Sequence, residues 1–438
     1  MGLRGFVALA PADNSSYDWA MPKTIKPEEN QVITMPESVD GFTIIGDPGC
    51  DGMGATPMSR FAKALSAAEG EFVLLVGDIV PTGERILYQN MAEFIETVSP
   101  LPVYALPGNH DTRYYGEYFG GGNYAVVAPN LMLIILDDAD RTFSESSIEF
   151  LSTVLSGHTD QHIILSFHIP PPNPVSGNSI KDAEWNKIST IIEPYRRHVR
   201  YILCGHVHSF FDTTTDGIPL LVTGGGGARI EFVSESVDPA KAAHHIITVS
   251  LADDVTVEQR LLSNFRIPIR DEKTRDALGR SFQEEAIAHV RYRFFAEEAE
   301  DQGFPGLAAL FRAASDAEYY HARNHFYVND GIEPLSEMVE GSIGRESHEV
   351  EHMYREYLDY SEKNNQGLAR YTFFDALAAE RVHRELFRKA HPAVEKGEDI
   401  PVETYYTCTS CGYTFAGDEH PSRCPICGAP RDKIRTVE

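Results

Sequence analysis

The chain has 438 residues, of which 42% are hydrophobic and 24% charged, with a formal net charge of −27 and a sequence pI near 5.0. This length suits two to four domains, and the composition is that of a globular protein. So acidic a surface repels phosphate backbones and anionic membranes, which excludes a nucleic-acid scaffold or a peripheral membrane role; small phosphate esters stay open, because bound metal ions dominate the local field of a site. No apolar stretch approaches the roughly 18 residues of a membrane span. The run Gly5–Ala10 is too short for a signal-peptide core, so a cytoplasmic address is expected.

Residues 1–40 are rich in Pro, Asn, Asp and Glu without a clear period and read as an irregular lead-in. From residue 41 to 262 apolar runs alternate with helical patterns, which predicts an α/β layered domain. Each run ends in polar chemistry. Phe42–Ile45 delivers Gly46-Asp47, Phe72–Val76 delivers Gly77-Asp78, and Val103–Leu106 delivers Gly108-Asn109-His110-Asp111. Ile163–Leu165 delivers His168, and Tyr201–Cys204 delivers His206-Val207-His208. Helices are expected over 57–69, 86–98, 144–155 and 182–197, and the Leu131–Leu136 run is a further buried strand. Gly224–Gly227 is either a plain loop or a turn that lets backbone approach a ligand. The stretch 249–261 is expected to close the sheet.

Residues 263–279, with charge clusters and Pro268, read as a linker. Four long helical patterns follow at about 280–302, 306–328, 342–365 and 368–390, separated by Gly and Pro stops. They predict an all-α four-helix bundle over 280–392. A second linker, 393–403, leads into a small cysteine module at 404–438. Four of the six cysteines form two Cys-x-x-Cys pairs, a spacing that reads as a metal site rather than a disulfide framework. Cys204 ends an apolar run and reads as a core residue.

Carboxylates, imidazoles and an amide at neighbouring strand ends suit borderline metal ions, and two such ions can clamp a phosphate and activate water. One carboxylate must bridge them, and Asp78 is the natural candidate. The motifs Gly46-Asp47, Gly77-Asp78, Gly108-Asn109-His110-Asp111, His168 and Gly205-His206-Val207-His208 resemble the calcineurin-like metallophosphoesterase family over about residues 40–262. The resemblance implies that Asp78, Asn109, His168 and His206 hold one metal (Fe, Mn or Zn), and Asp47, Asp78 and His208 another. It also implies that His110, oriented by Asp111, protonates the leaving group of a small phosphomonoester or phosphodiester, a nucleotide among the candidates. One departure matters. Many members carry Asp-x-His where this chain has Asp47-Pro48-Gly49, and others supply a tyrosine where this chain has Pro81. The Asp47/His208 position is therefore one ligand short, with Cys50 and Asp51 as candidate substitutes. Decay of this site into a non-catalytic binding module is an alternative.

In the helical region, Glu318-x-x-His321 and Glu380-x-x-His383 place each pair on one helix face. With Glu285 and Glu346-x-x-Glu349 they make the carboxylate recipe of a ferritin-like di-iron bundle. The wording around Glu285, Glu318, His321 and Glu349 is similar to rubrerythrin. By that resemblance Glu318 and Glu380 bridge, Glu346 and His383 hold one iron, and Glu285 holds the other with His321 or Glu349. Glu284, Glu297, Glu298 and Glu300 read as solvated surface. Cys408, Cys411, Cys424 and Cys427 offer four thiolates for zinc or iron, and the Cys-Pro-x-Cys-Gly wording resembles rubredoxin, which favours iron. Together the resemblances imply a hydrolase fused to a peroxidase that reduces hydrogen peroxide, fed by an electron-donating reductase and paired as a homodimer. The alternative is a redox-sensing protein whose di-iron module regulates the phosphoesterase.

Overall fold

The computed structural model describes residues 22–437 except 158–159, 235–236, 239–240, 253, 268, 270 and 418. The start of the lead-in, the Gly5–Ala10 run and Pro268 lie outside the described residues. The chain divides into one compact unit up to Asp330 and a second from Gly331 onward.

The first unit begins with β1 (Gln31–Thr34), β2 (Gly41–Ile45), α1 (Ala55–Ser66), β3 (Val73–Val76), α2 (Arg85–Val98), β4 (Val103–Leu106) and α3 (Tyr115–Phe119). It continues with β5 (Tyr124–Val127), β6 (Leu131–Ile135), α4 (Glu145–Ser156), β7 (His162–Ser166), α5 (Asp182–Ile192) and β8 (Val199–Cys204). Next come β9 (Phe210–Thr215), β10 (Ile218–Thr223), β11 (His245–Leu251) and β12 (Val255–Leu261), and the unit closes with the helices α6 (Glu272–Asp301) and α7 (Pro305–Val328). Two sheets form, ordered β1-β5-β6-β7-β8-β10-β9 and β12-β11-β2-β3-β4. The runs of β2, β3, β4, β6 and β7 are apolar almost throughout because both of their faces are covered. Phe42, Ile44, Leu74, Val76 and Leu106 of one sheet share an inner core with Val126, Leu133, Ile164, Leu203 and Leu221 of the other. The outer faces are closed by α1 and α2 on the smaller sheet and by α4 and α5 on the larger. At about 1.5–3 kcal/mol for each large apolar side chain removed from water, this layering fixes the strand registers firmly. All metal-ligand candidates of this domain lie just past the carboxyl ends of parallel strands, at one rim of the sandwich.

Several local differences from the sequence reading have simple causes. Gln31–Thr34, inside the expected irregular lead-in, pairs with β5 as an exposed edge strand, so its burial shows no alternation to read. The helix expected over 182–197 stops at Ile192 and tightens into a short 3-10 turn containing Pro194, which lacks the N–H a longer helix needs. The closing segment is a hairpin, β11 with β12, rather than one strand. Helix α6 starts at Glu272, within the expected linker, because Asp271 caps it by accepting the Thr274 N–H at 2.7 Å. Asp330 ties the end of α7 to the α/β layers. It accepts the Ile267 N–H at 2.8 Å and pairs with Lys63 of α1 at 3.3 Å.

The second unit contains α8 (Leu335–His348), a π-helical turn (Glu349–Met353), α9 (Tyr354–Lys363) and α10 (Gly367–Val394). The sequence predicts a single helix over 342–365; the structure starts it earlier, just after Pro334, and interrupts it at Glu349. The unit ends in a three-stranded sheet of β13 (Tyr405–Cys408), β14 (Thr414–Ala416) and β15 (Ile434–Val437), ordered β14-β13-β15. Among the described residues no helix is long and apolar enough to cross a membrane.

Candidate metal centres

At the rim of the sandwich, strand ends that are remote in sequence converge. Ligand atoms of Asp78, His168 and His206 lie within 4.8 Å of one another, and so do those of Asp47, Asp78 and His208. Asp78 belongs to both groups, as a bridging carboxylate must. Its Oδ1 lies 3.4 Å from His168 Nε2, which is 3.2 Å from Asn109 Oδ1. Asp47 Oδ1 lies 3.6 Å from His208 Nε2. The convergence strains the backbone. Asp47, Asp78 and His206 adopt left-handed φ angles of 53°, 51° and 68°, a conformation held by the surrounding loops and concentrated at functional sites. Gly108 has no room for a side chain, since a Cβ there would lie 2.3 Å from Asp78 Oδ1.

The electrostatics describe a site built for cations. Asp47 is fully buried, and burial followed by repulsion from Asp78 pushes its pKa well above the usual carboxylate range, although His168 opposes this. Burial also opposes ionisation of Asp78, but His168 outweighs it and holds that carboxyl below its ordinary value. His168 shows the reverse: burial pushes it down, yet Asp78 and then Asp47 raise it to about 10. His206 is lowered to about 3 by burial, His168 and Arg141. Buried carboxylates and imidazoles in such numbers compete for protons that a divalent ion would displace, so the donor set fits metals.

The helical candidates are arranged differently. Glu285 is half-buried on α6. On α7, His321 Nδ1 lies 2.9 Å from Glu318 Oε2, with 56% of the His321 side chain exposed. In the second unit, His383 Nδ1 lies 2.7 Å from Glu380 Oε2 and 3.9 Å from Glu346 Oε2. Glu346 Oε2 is buried without a hydrogen-bond partner. Burial and the neighbouring Glu380 raise the Glu346 carboxyl to about 7, and burial with Glu380 also raises Glu349. An orphaned carboxylate oxygen among acids is what a metal ligand looks like before its ion is added. Glu349 opens the π-helical turn, an irregularity that frequently marks functional positions in helices.

The four cysteines are also assembled, with all four sulfurs within 4.8 Å of one another. Cys408 and Cys427 sulfurs are 3.7 Å apart, Cys411 and Cys424 sulfurs 3.6 Å. The two loops repeat one geometry: Gly412 donates to the Cys408 carbonyl at 2.8 Å and Gly428 to the Cys424 carbonyl at 3.0 Å. Burial works against a Cys408 thiolate, but backbone N–H groups of Ser410 and Cys411 lower it to about 7. These sulfurs fit a tetrahedral ion.

Residues 41–210 match the calcineurin-like phosphoesterase family, residues 276–391 the rubrerythrin family, and residues 406–435 the rubrerythrin rubredoxin-like domain. Rubrerythrin-2 of Clostridium acetobutylicum is 34% identical over 181 residues, covering 38% of this chain and 98% of that protein. The chain belongs to the rubrerythrin family, with a calcineurin-like phosphoesterase domain ahead of it. The 3',5'-cyclic adenosine monophosphate phosphodiesterase CpdA of Escherichia coli is 28% identical over 178 residues, 37% of this chain and 63% of that protein. A solved structure of nigerythrin is 26% identical, covers 37% of this chain and 86% of its own, and superposes with a TM-score of 0.22.

Within the phosphoesterase domain one expectation is corrected. Asp111 does not orient His110. Its buried carboxylate accepts the N–H groups of Gly108, Ile79 and Val80 at 2.9, 3.0 and 3.2 Å, and so locks the second and third motif loops together. His110 is held instead by donating Nδ1–H to the Pro81 carbonyl at 2.9 Å, which leaves Nε2 3.9 Å from Asp78 Oδ2. The Gly224–Gly227 turn packs on the Asp47 loop, with Gly226 N–H donating to Gly46 O at 2.8 Å.

Three residues of this rim are missing from the sequence reading. Asp138, fully buried, accepts the His168 and Ile169 N–H groups and is raised to about 7 by burial. Arg141 donates to Asn178 Oδ1 at 3.1 Å, and that same oxygen lies 3.0 Å from His206 Nε2. The only sequence signal for Asp138 is its place at the end of the Leu131–Leu136 run, the pattern that marks the other acids.

Proposed function

We propose that this protein is a bifunctional metalloenzyme that hydrolyses a small phosphoester in its N-terminal domain and reduces hydrogen peroxide in its rubrerythrin region. The observation that carries the hydrolase reading is the membership of Asp78 in both ligand groups at one rim. Asp78, Asn109, His168 and His206 would hold one ion, and Asp47, Asp78 and His208 a second. Bound there, the ions supply charge neutralisation of the phosphate and a hydroxide at neutral pH. The protein's own part is positioning. His110, with Nδ1–H fixed on Pro81, presents Nε2 for protonating the leaving oxygen. Arg141, a guanidinium at the rim beside His206, neutralises the ester's remaining oxygens. The CpdA relative is named for cyclic adenosine monophosphate, which makes cyclic nucleotides the first substrate class to assay.

For the rubrerythrin region, Glu285, Glu318, His321, Glu346, Glu349, Glu380 and His383 would hold a di-iron centre, and the four cysteines a single iron. When bound, the iron pair would supply the two electrons that reduction of peroxide to water requires, and iron held by the four cysteines would relay replacement electrons from an external reductase. Glu318 and Glu380 pre-orient the imidazoles of His321 and His383, one helical turn away. A cytoplasmic address belongs to the same reading, in keeping with six free cysteines. Phe294, Leu310, Leu368 and Tyr371, which are 60%, 63%, 85% and 61% exposed, offer apolar surface for pairing with a second copy.

Assays on one anaerobic preparation test both halves: turnover of a chromogenic phosphodiester, and peroxide-dependent oxidation of reduced protein. Absence of either activity in fully metallated protein removes that half of the reading. A second reading, redox control of the hydrolase, is favoured by one contact. Helix α7, which carries Glu318 and His321, packs on α1, and α1 leads directly out of the Asp47 loop. Hydrolysis that is indifferent to both peroxide and dithionite rules that reading out.

A further inference from the structure

We propose that Cys50 is a ligand of the second hydrolase metal, completing the Asp47–Asp78–His208 group with a thiolate and selecting zinc or ferrous iron there over magnesium or manganese. The inference rests on the two-metal hydrolase reading above and adds to it a donor of different chemistry.

Two positions that commonly complete this site cannot do so here. Gly49 is sealed: a Cβ built on it would lie 1.9 Å from the Ile79 carbonyl oxygen, so no side chain fits without moving backbone. Its N–H donates to the Asp78 carbonyl at 3.1 Å, which pins the first motif loop against the second. Pro81 has no donor atom in its side chain, and its carbonyl is occupied by His110.

The next side chain along the pinned loop is Cys50. Its sulfur lies 3.6 Å from His110 Nε2. It forms one group with Asp78 and His110 and another with Asp51 and His208, each with ligand atoms within 4.8 Å of one another. One sulfur therefore reaches both the bridging carboxylate and the imidazole of the under-ligated position. Asp51 is the weaker substitute, because it is exposed and its carboxylate already accepts the Arg229 backbone N–H.

Charge supports the same assignment. Burial and the neighbouring carboxylates Asp78, Asp47 and Asp51 hold the Cys50 thiol protonated on its own; with two divalent ions bound, Asp47, Asp78 and a Cys50 thiolate would supply three negative charges that those ions match. A thiolate among carboxylate and imidazole donors favours zinc or ferrous iron over the harder magnesium and manganese.

The test uses the full chain with Cys50→Ser, Cys50→Ala and Cys50→Asp, and His208→Ala as reference. Metal content is measured after equilibration with limiting zinc, and after cobalt substitution the near-ultraviolet difference spectrum of wild type minus Cys50→Ser is recorded. The four-cysteine site is common to both proteins and cancels in that difference. The expected result is a positive thiolate-to-cobalt charge-transfer band and a zinc affinity of the second hydrolase position weakened on the order of tenfold or more in Cys50→Ser and Cys50→Ala. Cys50→Asp is expected to recover binding with a shift in preference towards manganese. Unaltered circular dichroism and unaltered four-cysteine iron show that the variants fold. If His208→Ala loses metal while Cys50→Ala matches wild type and the difference spectrum is flat, the Cys50 assignment is wrong and the two-metal site stands. If His208→Ala also matches wild type, the two-metal reading fails, and the assignment with it.

Discussion

The two ligand-rich regions of this protein solve one problem, gathering carboxylates and imidazoles, by opposite means. At the sandwich rim the ligands come from five strand ends scattered between residues 47 and 208, and both Asp47 and His168 are completely buried. They are held by backbone: His206 N–H donates to Asp47, His110 N–H to Asp78, and His168 N–H to Asp138. On the helices the two Glu-x-x-His pairs are partly exposed, and each is held mainly by its own hydrogen bond. The rim is pre-organised by the fold, so its charges are strongly perturbed before any ion arrives. The helical candidates have softer settings and would take their final geometry from a bound ion. Metal loss should therefore leave the rim's shape intact and loosen the helical ligands.

The sharpest way to break this contrast is to remove the carboxylate shared by both rim groups. Asp78→Asn should lower phosphoester hydrolysis by more than about a hundredfold, since even outer-shell partners of a metal are worth 10–100-fold. Peroxide reduction in the same protein should be unchanged; a parallel loss of both activities would mean the two regions are not separate. Next in size, Cys411→Ser should abolish the visible absorption of the four-cysteine iron and stop reductase-driven peroxide turnover, with hydrolysis intact. Stopped-flow mixing of reduced protein with peroxide checks this, because a single turnover of pre-reduced di-iron should survive.

The difference in how the two regions are held also explains what can be read from sequence. Apolar runs that end in Gly-Asp, Asn-His or His-Val-His give away the rim ligands, because strand ends and ligand positions coincide in this architecture. The Glu-x-x-His pairs are equally legible, since a three-residue spacing is a local property of a helix. What connects distant loops is not legible. Asp111 follows His110 directly, yet its carboxylate is claimed by the N–H groups of Ile79 and Val80, from a loop remote in sequence. Arg141 and Asn178 meet His206 only through loop packing. The π-helical turn at Glu349 has no hydrophobic period to announce it, and the closure of Gly49 depends on the Ile79 carbonyl across the gap.

A smaller effect separates the regions by pH. His245 is buried in the sheet against Thr223 Oγ1 at 2.8 Å, and burial lowers its pKa to about 4. A histidine depressed below its unfolded value near 6.5 binds protons more tightly when unfolded, so its contribution to stability is full above 6.5 and is lost as pH falls towards 4. The loss is on the order of 3 kcal/mol, since each tenfold difference in proton affinity between the folded and unfolded chain is worth about 1.4 kcal/mol. Chemical denaturation monitored at pH 7 and pH 4.5 should show the sandwich losing stability, and His245→Gln should flatten that slope. A slope unchanged by the substitution would assign the acid sensitivity elsewhere.

The central claim, that separate sets of side chains capture separate metals, is tested most directly by counting metals on anaerobically purified full-length protein and on its Asp78→Asn and Glu380→Gln variants. The account predicts a di-iron complement plus one four-cysteine iron alongside hydrolase metal in the wild type. Asp78→Asn should lose only the hydrolase metal, and Glu380→Gln only di-iron. Identical metal contents in all three proteins, or only trace metal in the wild type after reconstitution, would contradict it.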